Sequence, residues 1–331
     1  MVESSSAPRI LVIRGGALGD FILTLPALKL IRDTLPEAEL EVLGYPRIAE
    51  LANERFYARR VRSIDYGPMA GFFAKNGTLD GTLVEYFAGF QQVISYLFDP
   101  DGIFEANVRR AGVRHYLSAY RRPEARHAAR EWATPLETLA MFLEEPAARL
   151  FLRDADLLGA RVWLGEGGRM RLAMHPGSGS PTKNWGVEHW VKMGECFWRD
   201  FPEGEVVLVA GEADEEALRA LERAWEGRRV RWAVGLALPA LAAVLAECGR
   251  FAGHDSGISH LAAAAGAQCL LLFGPTDPSI WAPLNEGVRV LRAPGGNWGR
   301  LEEDVVWREI CKKLLYPLRK LTDGSPSGGS P

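Results

Sequence analysis

Short apolar, β-branched runs alternate along this chain with longer segments whose apolar residues recur at helical spacing. Arg9–Arg14 predicts a strand, and Phe21–Leu35 a helix with Ile22, Leu25, Leu28, Leu30 and Ile31 on its apolar positions. A strand follows at Glu39–Gly44, a helix at Arg47–Phe56 and a strand at Arg60–Ile64. Residues 66–90 are aromatic and glycine-rich and predict short helices. Gln92–Phe98 reads as a strand, Gly102–Ala111 as a helix, Arg114–Ser118 as a strand and Glu124–Leu143 as one long helix. Strands alternating with helices imply a parallel sheet covered by helices.

The pattern then resets. Residues 154–169 are polar and end Gly165-Glu-Gly-Gly168, which suits a flexible linker. Strands are predicted at Arg171–His175, Glu205–Ala210, Arg229–Val234, Arg250–Gly253, Gln268–Phe273 and Val288–Leu291. Helices are predicted at Val187–Phe201, Asp214–Glu226, Pro239–Glu247, Ile258–Ala265 and Leu301–Leu318. The expected fold class is α/β, with two Rossmann-like parallel-sheet domains facing a cleft. Residues 1–153 form the N-terminal domain, 154–169 the linker and 170–300 the C-terminal domain. A C-terminal helix spans 301–321, and the Gly/Ser/Pro tail at 322–331 is expected to be disordered.

Composition narrows the choice of partner. The 331 residues have an apolar fraction of 47%, enough for two ordinary cores, and a net charge of −3. No global field draws the chain to nucleic acid or an anionic membrane. Cys196, Cys248, Cys269 and Cys311 are widely spaced, which argues against a zinc site or a disulfide scaffold and for buried free thiols. Without a basic region followed by an apolar stretch near the N-terminus, and without an apolar run of membrane-spanning length, a cytoplasmic location is expected.

The richest stretch for chemistry runs from Phe251 to Pro278. Asp255, Ser256 and Gly257 fall where a strand ends and a helix begins, a place suited to phosphate. Gly274, Pro275 and Thr276 end the next strand on the same sheet edge, and the two adjacent polar turns together predict a nucleotide site. His260 lies in the first turn of the intervening helix; a lone histidine is more often structural. His175 reads as a structural residue at a strand end. The loop that follows it, to Trp185, is donor-rich and carries Ser178 and Lys183, whose ammonium suits phosphates as a point charge. A solvent-exposed lysine is the plainer interpretation. Glu215 and Glu216 offer acceptors for a ribose or base, or simply favour a helix start.

The loop Arg14-Gly-Gly-Ala-Leu-Gly-Asp20 joins the first strand to the first helix, with Gly15, Gly16 and Gly19 allowing close approach of a ligand. The plainer interpretation makes Asp20 a helix N-cap. The glycine spacing is wrong for a dinucleotide fingerprint, and no acid ends the second strand, so NAD is not expected. Seven arginines lie between Arg109 and Arg130 with Glu124 as the sole acid, giving a basic patch for an anionic acceptor through Arg109, Arg121, Arg122 and Arg126, or solvated helix faces. Phe72, Phe73, Tyr86, Phe87 and Phe90 are expected in the core, or at a surface that touches membrane. Asp99-Pro-Asp101 and Asp154-Ala-Asp156 read as turns, with no metal expected.

Taken together, Ile13–Ala27, His175-Pro-Gly-Ser-Gly with Lys183 and Trp185, and Gly253–His260 with Phe273–Pro278 resemble glycosyltransferase family 9, the lipopolysaccharide heptosyltransferase family. The resemblance implies a GT-B fold and an inverting, metal-independent transfer without a cofactor. The donor, typically ADP-heptose, would bind the C-terminal half. An anionic glycolipid, typically a Kdo-containing lipid A core, would bind the N-terminal half at peripheral contact with the inner membrane. By motif match Asp20 is the catalytic base, with Gly15, Gly16 and Gly19 near the reaction centre. Lys183, Ser178, Asp255, Ser256, Gly257 and His260 hold the donor. Gly15-Gly16 stand where the family commonly has hydroxyl residues, and Ser256 where threonine is common. Two other readings stay open. A nucleotide-sugar epimerase or hydrolase would turn over donor without acceptor; a non-catalytic binder would be indifferent to Asp20.

Overall fold

The structure is a computed structural model, and it describes residues 7–165, 167–211 and 214–316. The first half contains β1 (Arg9–Arg14), α1 (Leu18–Thr34), β2 (Glu39–Gly44), α2 (Pro46–Ala49), β3 (Arg60–Ser63), α3 (Ala70–Phe73), α4 (Gly81–Ala88), β4 (Gln92–Ser95), α5 (Ile103–Arg110), β5 (Tyr116–Ser118) and α6 (Ala128–Ala133). The second contains α7 (Asp154–Leu164), β6 (Arg171–His175), α8 (Val187–Asp200), β7 (Glu205–Ala210), α9 (Glu215–Ala224), β8 (Val230–Val234), α10 (Leu238–Cys248), β9 (Arg250–His254), α11 (Gly257–Ala264), β10 (Gln268–Phe273), α12 (Pro278–Trp281), β11 (Val288–Arg292) and α13 (Glu303–Ile310).

The first sheet has the order β3-β2-β1-β4-β5 and the second β11-β10-β9-β6-β7-β8; every pairing is parallel. β1, β6 and β7 are buried on both faces, which explains why they read as continuous apolar runs rather than alternating ones. In each sheet the first strand in sequence lies between neighbours reached in opposite directions, β1 between β2 and β4 and β6 between β7 and β9. Crevices for ligands form at such switch points, beyond the strands' carboxyl ends. The ends concerned are Arg14 with Ser95, and His175 with His254.

The halves meet through α1 and α11, and one apolar cluster runs from Phe21, Ile22 and Leu25 to Leu261 and Ala262. Backbone contacts reinforce the junction: Leu150 N–H donates to Ala264 O at 2.8 Å, and Asn285 Nδ2 to Ala148 O at 2.8 Å. His127 caps α6 by accepting the Ala129 N–H on Nδ1, and its Nε2–H donates to Ala282 O at 2.7 Å.

Several sequence expectations are corrected. The long helix over Glu124–Leu143 is not formed: α6 is followed by a 3-10 turn, Thr134–Leu139, that closes at Ala140 with φ 57°. Pro135 supplies no N–H to the α-helical ladder and ends it. The segment read as a linker holds α7, an 11-residue helix with Ala160 and Leu164 buried. It packs along α10, and Asp156 in its first turn accepts from Arg55 of the first half at 2.7 Å. A polar, glycine-containing stretch hid a helix that buries Ala160 and Leu164 fully and packs Leu157 and Trp163 partly against the core. α2 is far shorter than the helix read over Arg47–Phe56, and α1 starts three residues earlier than expected. Asp20 is therefore the third residue of α1, not its N-cap. Past α13, a π-helical turn spans Cys311–Leu315; the rest of the 301–321 helix and the 322–331 tail lie outside the described residues. All four cysteines are free thiols.

Candidate active site

β1 delivers Arg14 to the sheet edge, and Gly15–Ala17 turn the chain into α1. Gly16 has φ 92°, a conformation that favours glycine. Asp20 reaches back so that Oδ2 accepts the Ala17 N–H at 3.3 Å, an acid at a helix N-terminus. Thr24 Oγ1, one turn on, donates to the Asp20 carbonyl at 2.7 Å and accepts from Arg14 Nε at 2.9 Å. The Arg14 guanidinium is buried under the loop with its centre 4.3 Å from the Trp132 ring. Nη1 donates to Tyr96 O at 3.4 Å, and Nη2 has no hydrogen-bond partner among the described residues. Burial lowers the pKa of Arg14, and the Asp20 carboxylate opposes this. Sequence reasoning missed Arg14; a cation ending an otherwise apolar strand was its only mark.

In the second half, β6 ends at His175 and β9 at His254, side by side. His175 Nε2 donates to Asp214 Oδ2 at 3.3 Å, and Nδ1 lies 3.2 Å from Ser256 Oγ. Asp214 also accepts the Gly211 N–H at 2.8 Å. Burial opposes ionisation of Asp214, but the bonds from His175 and Gly211 outweigh it and hold its pKa below the usual carboxylate range. Any Cβ at Gly177 would overlap the Asp214 carboxylate, so glycine lets this loop close on the acid. His175, Asp214 and Ser256 are all buried. The strand-end histidine read as structural thus organises a polar relay, and Asp214, one residue before the proposed Glu215, is the acid that enters the site. Glu215 itself is exposed on α9 and paired with Arg219.

Lys183 Nζ donates to Asp255 Oδ2 at 2.7 Å, joining the two loops. Ser178 Oγ donates within its loop, to Ser180 O or Asn184 Oδ1. Ser256 N-caps α11 by accepting the Ser259 N–H. Behind this edge, His254 Nε2 accepts from the Trp185 N–H at 2.8 Å and from Trp190 Nε1 at 3.3 Å. Burial, assisted by nearby His175, lowers the pKa of His254 to about 3, so the ring is neutral. His260 is buried, and burial lowers its pKa to about 4, against the pull of Asp255.

The two helix N-termini meet here. A Cβ on Gly257 would lie 2.8 Å from Leu18 Cβ, and one on Gly19 would lie 3.2 Å from His260 Cδ2. Glycine at both positions lets α1 and α11 approach end to end. Beside this contact is a cavity of about 340 Å³, walled by Leu18 and Gly19 of the first half and His175, Asp214, Ser256 and Gly257 of the second. Its far wall is apolar, with Val209, Ala233 and Leu241.

Gly274–Thr276 do not line the cavity. A Cβ on Gly274 would run into the Trp298 ring at 2.5 Å, and Trp298 Nε1 donates to Thr182 O at 3.1 Å. That turn therefore supports the Lys183 loop from behind. The arginine patch is divided between the two edges of the sheet. α5 runs back from the carboxyl edge, and Arg109 donates to the carbonyls of Arg114 and Tyr116 at the start of β5. Arg121, Arg122 and Arg126 follow the end of β5 and are exposed. Arg122 stands 3.9 Å from Glu124, and Arg126 donates to Thr134 Oγ1 at 3.3 Å.

Residues 111–303 match the model of glycosyltransferase family 9 (heptosyltransferase). The chain belongs to glycosyltransferase family 9. Lipopolysaccharide heptosyltransferase 2 of Salmonella typhimurium is 28% identical over 171 residues, covering 50% of this chain and 46% of that one. The chain spans about half the length of the first curated relatives it matches. The structure of Escherichia coli ADP-heptose lipopolysaccharide heptosyltransferase II aligns with TM-score 0.76 at 18% identity, over 93% of this chain and 98% of that one. Escherichia coli heptosyltransferase WaaC, solved with ADP, aligns with TM-score 0.69 at 19% identity, over 91% and 98%. This family member has the GT-B fold, two parallel-sheet domains with their carboxyl edges turned to each other.

Proposed function

We propose that this protein is an inverting, metal-independent glycosyltransferase that moves heptose from ADP-heptose to a lipopolysaccharide core or a related envelope glycan. The observation that carries this reading is the cavity that joins the Asp20 loop to the His175, Asp214 and Ser256 relay at the N-terminus of α11. A nucleoside fits its apolar wall, with the base against Val209 and Leu241. The diphosphate then lies toward the free N–H groups that open α11, with Lys183 in reach. Family membership and the related structure holding ADP support this assignment of the donor.

In this reading, Asp20 takes the proton of the acceptor hydroxyl as its oxygen bonds to the anomeric carbon. The bond from that carbon to the phosphate oxygen breaks, and the electron pair leaves with ADP. Attack from the face opposite the diphosphate inverts the anomeric centre. Lys183 and the α11 N-terminus hold the leaving charge in a preorganised setting. Buried Arg14, anchored on Thr24 and Trp132, fixes the loop that carries Asp20.

Calorimetric titration with ADP and other nucleoside diphosphates, with and without Mg²⁺ or a chelator, tests the donor assignment. Selective ADP binding that ignores Mg²⁺ is expected. Binding that needs the metal, or preference for a different base, rejects the corresponding part of the proposal. Donor turnover without any acceptor at full rate would favour hydrolysis or epimerisation instead.

A further inference from the structure

Trp132 of α6 is buried and touches three separate parts of the molecule. Its ring lies over the Arg14 guanidinium, whose centre is 4.3 Å away. Its Nε1–H donates to Arg121 O at 2.9 Å, in the segment that follows β5. The third neighbour is Trp281, the last residue of α12 in the second half: the ring centroids are 6.3 Å apart in a T-shaped arrangement. The next residue, Ala282, accepts from Nε2 of His127, the N-cap of α6, at 2.7 Å. Two consecutive residues thus seat the end of α12 on α6, one through a ring and one through a carbonyl.

Each end of this set of contacts leads to a loop of the cleft. α12 follows the Gly274–Thr276 turn, which Trp298 joins to the Lys183 loop. On the other side, Arg14 ends β1 and opens the loop to Asp20. The Arg14 guanidinium is buried, and its Nη2 has no hydrogen-bond partner among the described residues. What holds it is the bond from Nε to Thr24 Oγ1 at 2.9 Å, a longer one from Nη1 to Tyr96 O at 3.4 Å, and the Trp132 face. An indole is the best aromatic face for a cation, and the attraction grows when the cation is desolvated. A buried guanidinium short of hydrogen bonds therefore depends on that face to keep its place. Thr24 gives its own O–H to the Asp20 carbonyl at 2.7 Å, so the position of Arg14 is passed on to the first turn of α1.

We infer that Trp132 is a positioning residue: through it, the seating of α12 on α6 fixes Arg14 and, by way of Thr24, the loop that presents Asp20. The Lys183 side and the Asp20 side of the cleft are thereby coupled through packed side chains with defined contacts. The inference rests on the glycosyltransferase reading and deepens it, since it ties the placement of the proposed base to the docking of the two halves.

Hydrogen–deuterium exchange read by mass spectrometry on the full chain tests this, comparing the parent protein with Trp281→Ala and Trp281→Phe. Trp281 is only partly buried, so its truncation frees Trp132 from α12 without opening the centre of either core. In Trp281→Ala the peptide over residues 14–24 is expected to exchange about threefold faster or more, while the β7 peptide is unchanged. Trp281→Phe keeps a ring against Trp132 and is expected to exchange as the parent does. An unchanged 14–24 peptide in Trp281→Ala overturns the inference. So does a rise shared equally by β7, because Trp281 would then support the fold as a whole. ADP binding is measured calorimetrically on the same samples. ADP bound by the parent with 14–24 exchange unaltered in Trp281→Ala removes this coupling alone; no ADP bound by the parent removes the transferase reading beneath it.

Discussion

Lys183 and Asp255 are ion-paired, Nζ to Oδ2 at 2.7 Å, and through them the loop after β6 is tied to the turn after β9. The lysine side chain is 35% exposed and the aspartate 8%, so the pair sits at the lip of the cleft with its cation outward. A diphosphate at the α11 N-terminus would draw on the same ammonium. Lys183→Ala is expected to weaken ADP binding about ten- to a hundredfold, the range of a charge-assisted hydrogen bond. Calorimetry reads this directly, and an unaltered dissociation constant would make Lys183 a structural clasp only.

Asp20 is half-buried at the start of α1, next to a loop that a ligand can reach. Replacing it by alanine removes the proposed general base but none of the groups proposed to hold the donor. ADP affinity should hold within a few-fold, while transfer falls roughly 10²–10⁴-fold. Retained transfer in Asp20→Ala would exclude the carboxylate from the chemistry.

Gly257 sits against Leu18 where the two helix ends meet. A methyl group there has nowhere to go, because the Leu18 Cβ and the Gly19 backbone flank it at 2.8 and 3.1 Å. Gly257→Ala is expected to cost about 1–3 kcal/mol, the usual penalty of overpacking. Urea denaturation reads the loss as a lower midpoint. A midpoint equal to that of the parent protein would show that the junction yields freely.

His254 and His260 are buried and neutral, with pKa values lowered to about 3 and about 4 against 6.5 for a free histidine. Burial also lowers His127. As pH falls below 6.5 the unfolded chain takes up protons that the folded protein refuses, so stability drops through that window until the folded rings protonate. Stability should therefore fall steadily from pH 6.5 toward 4. His254→Gln, which keeps an acceptor for the Trp185 N–H, should flatten the slope. Chemical denaturation at a series of pH values checks both; a pH-independent midpoint from 6.5 to 4 contradicts the assignment.

The amino-acid sequence by itself determined the order of strands and helices, because apolar period and length report burial whatever the partner. All eleven strands were legible over most of their residues; β5 begins two residues later than read and β4 ends three earlier. The turn at Asp255–Gly257 was also legible, since Asp, Ser and Gly between an apolar strand and an apolar helix are favoured helix-start residues. The turn that carries Asp20 was legible through its glycines, though not the place of Asp20 as the third residue of α1. α7 is not legible because charged and glycine residues interrupt its apolar spacing, and the apolar pattern over 124–143 runs past the point where Pro135 ends the α-helical ladder.

Tertiary structure alone decided which side chains share the site. His175, Asp214 and Ser256 stand far apart in sequence and meet because β6, β7 and β9 are neighbours in the sheet. Arg14 becomes a buried support only because Thr24 and Trp132 close over it. Arg109 and Arg121, close in sequence, are sent to opposite edges by one strand. Periodicity tells which face of an element is buried; parallel crossovers decide whose ends are neighbours, and a site is made of ends.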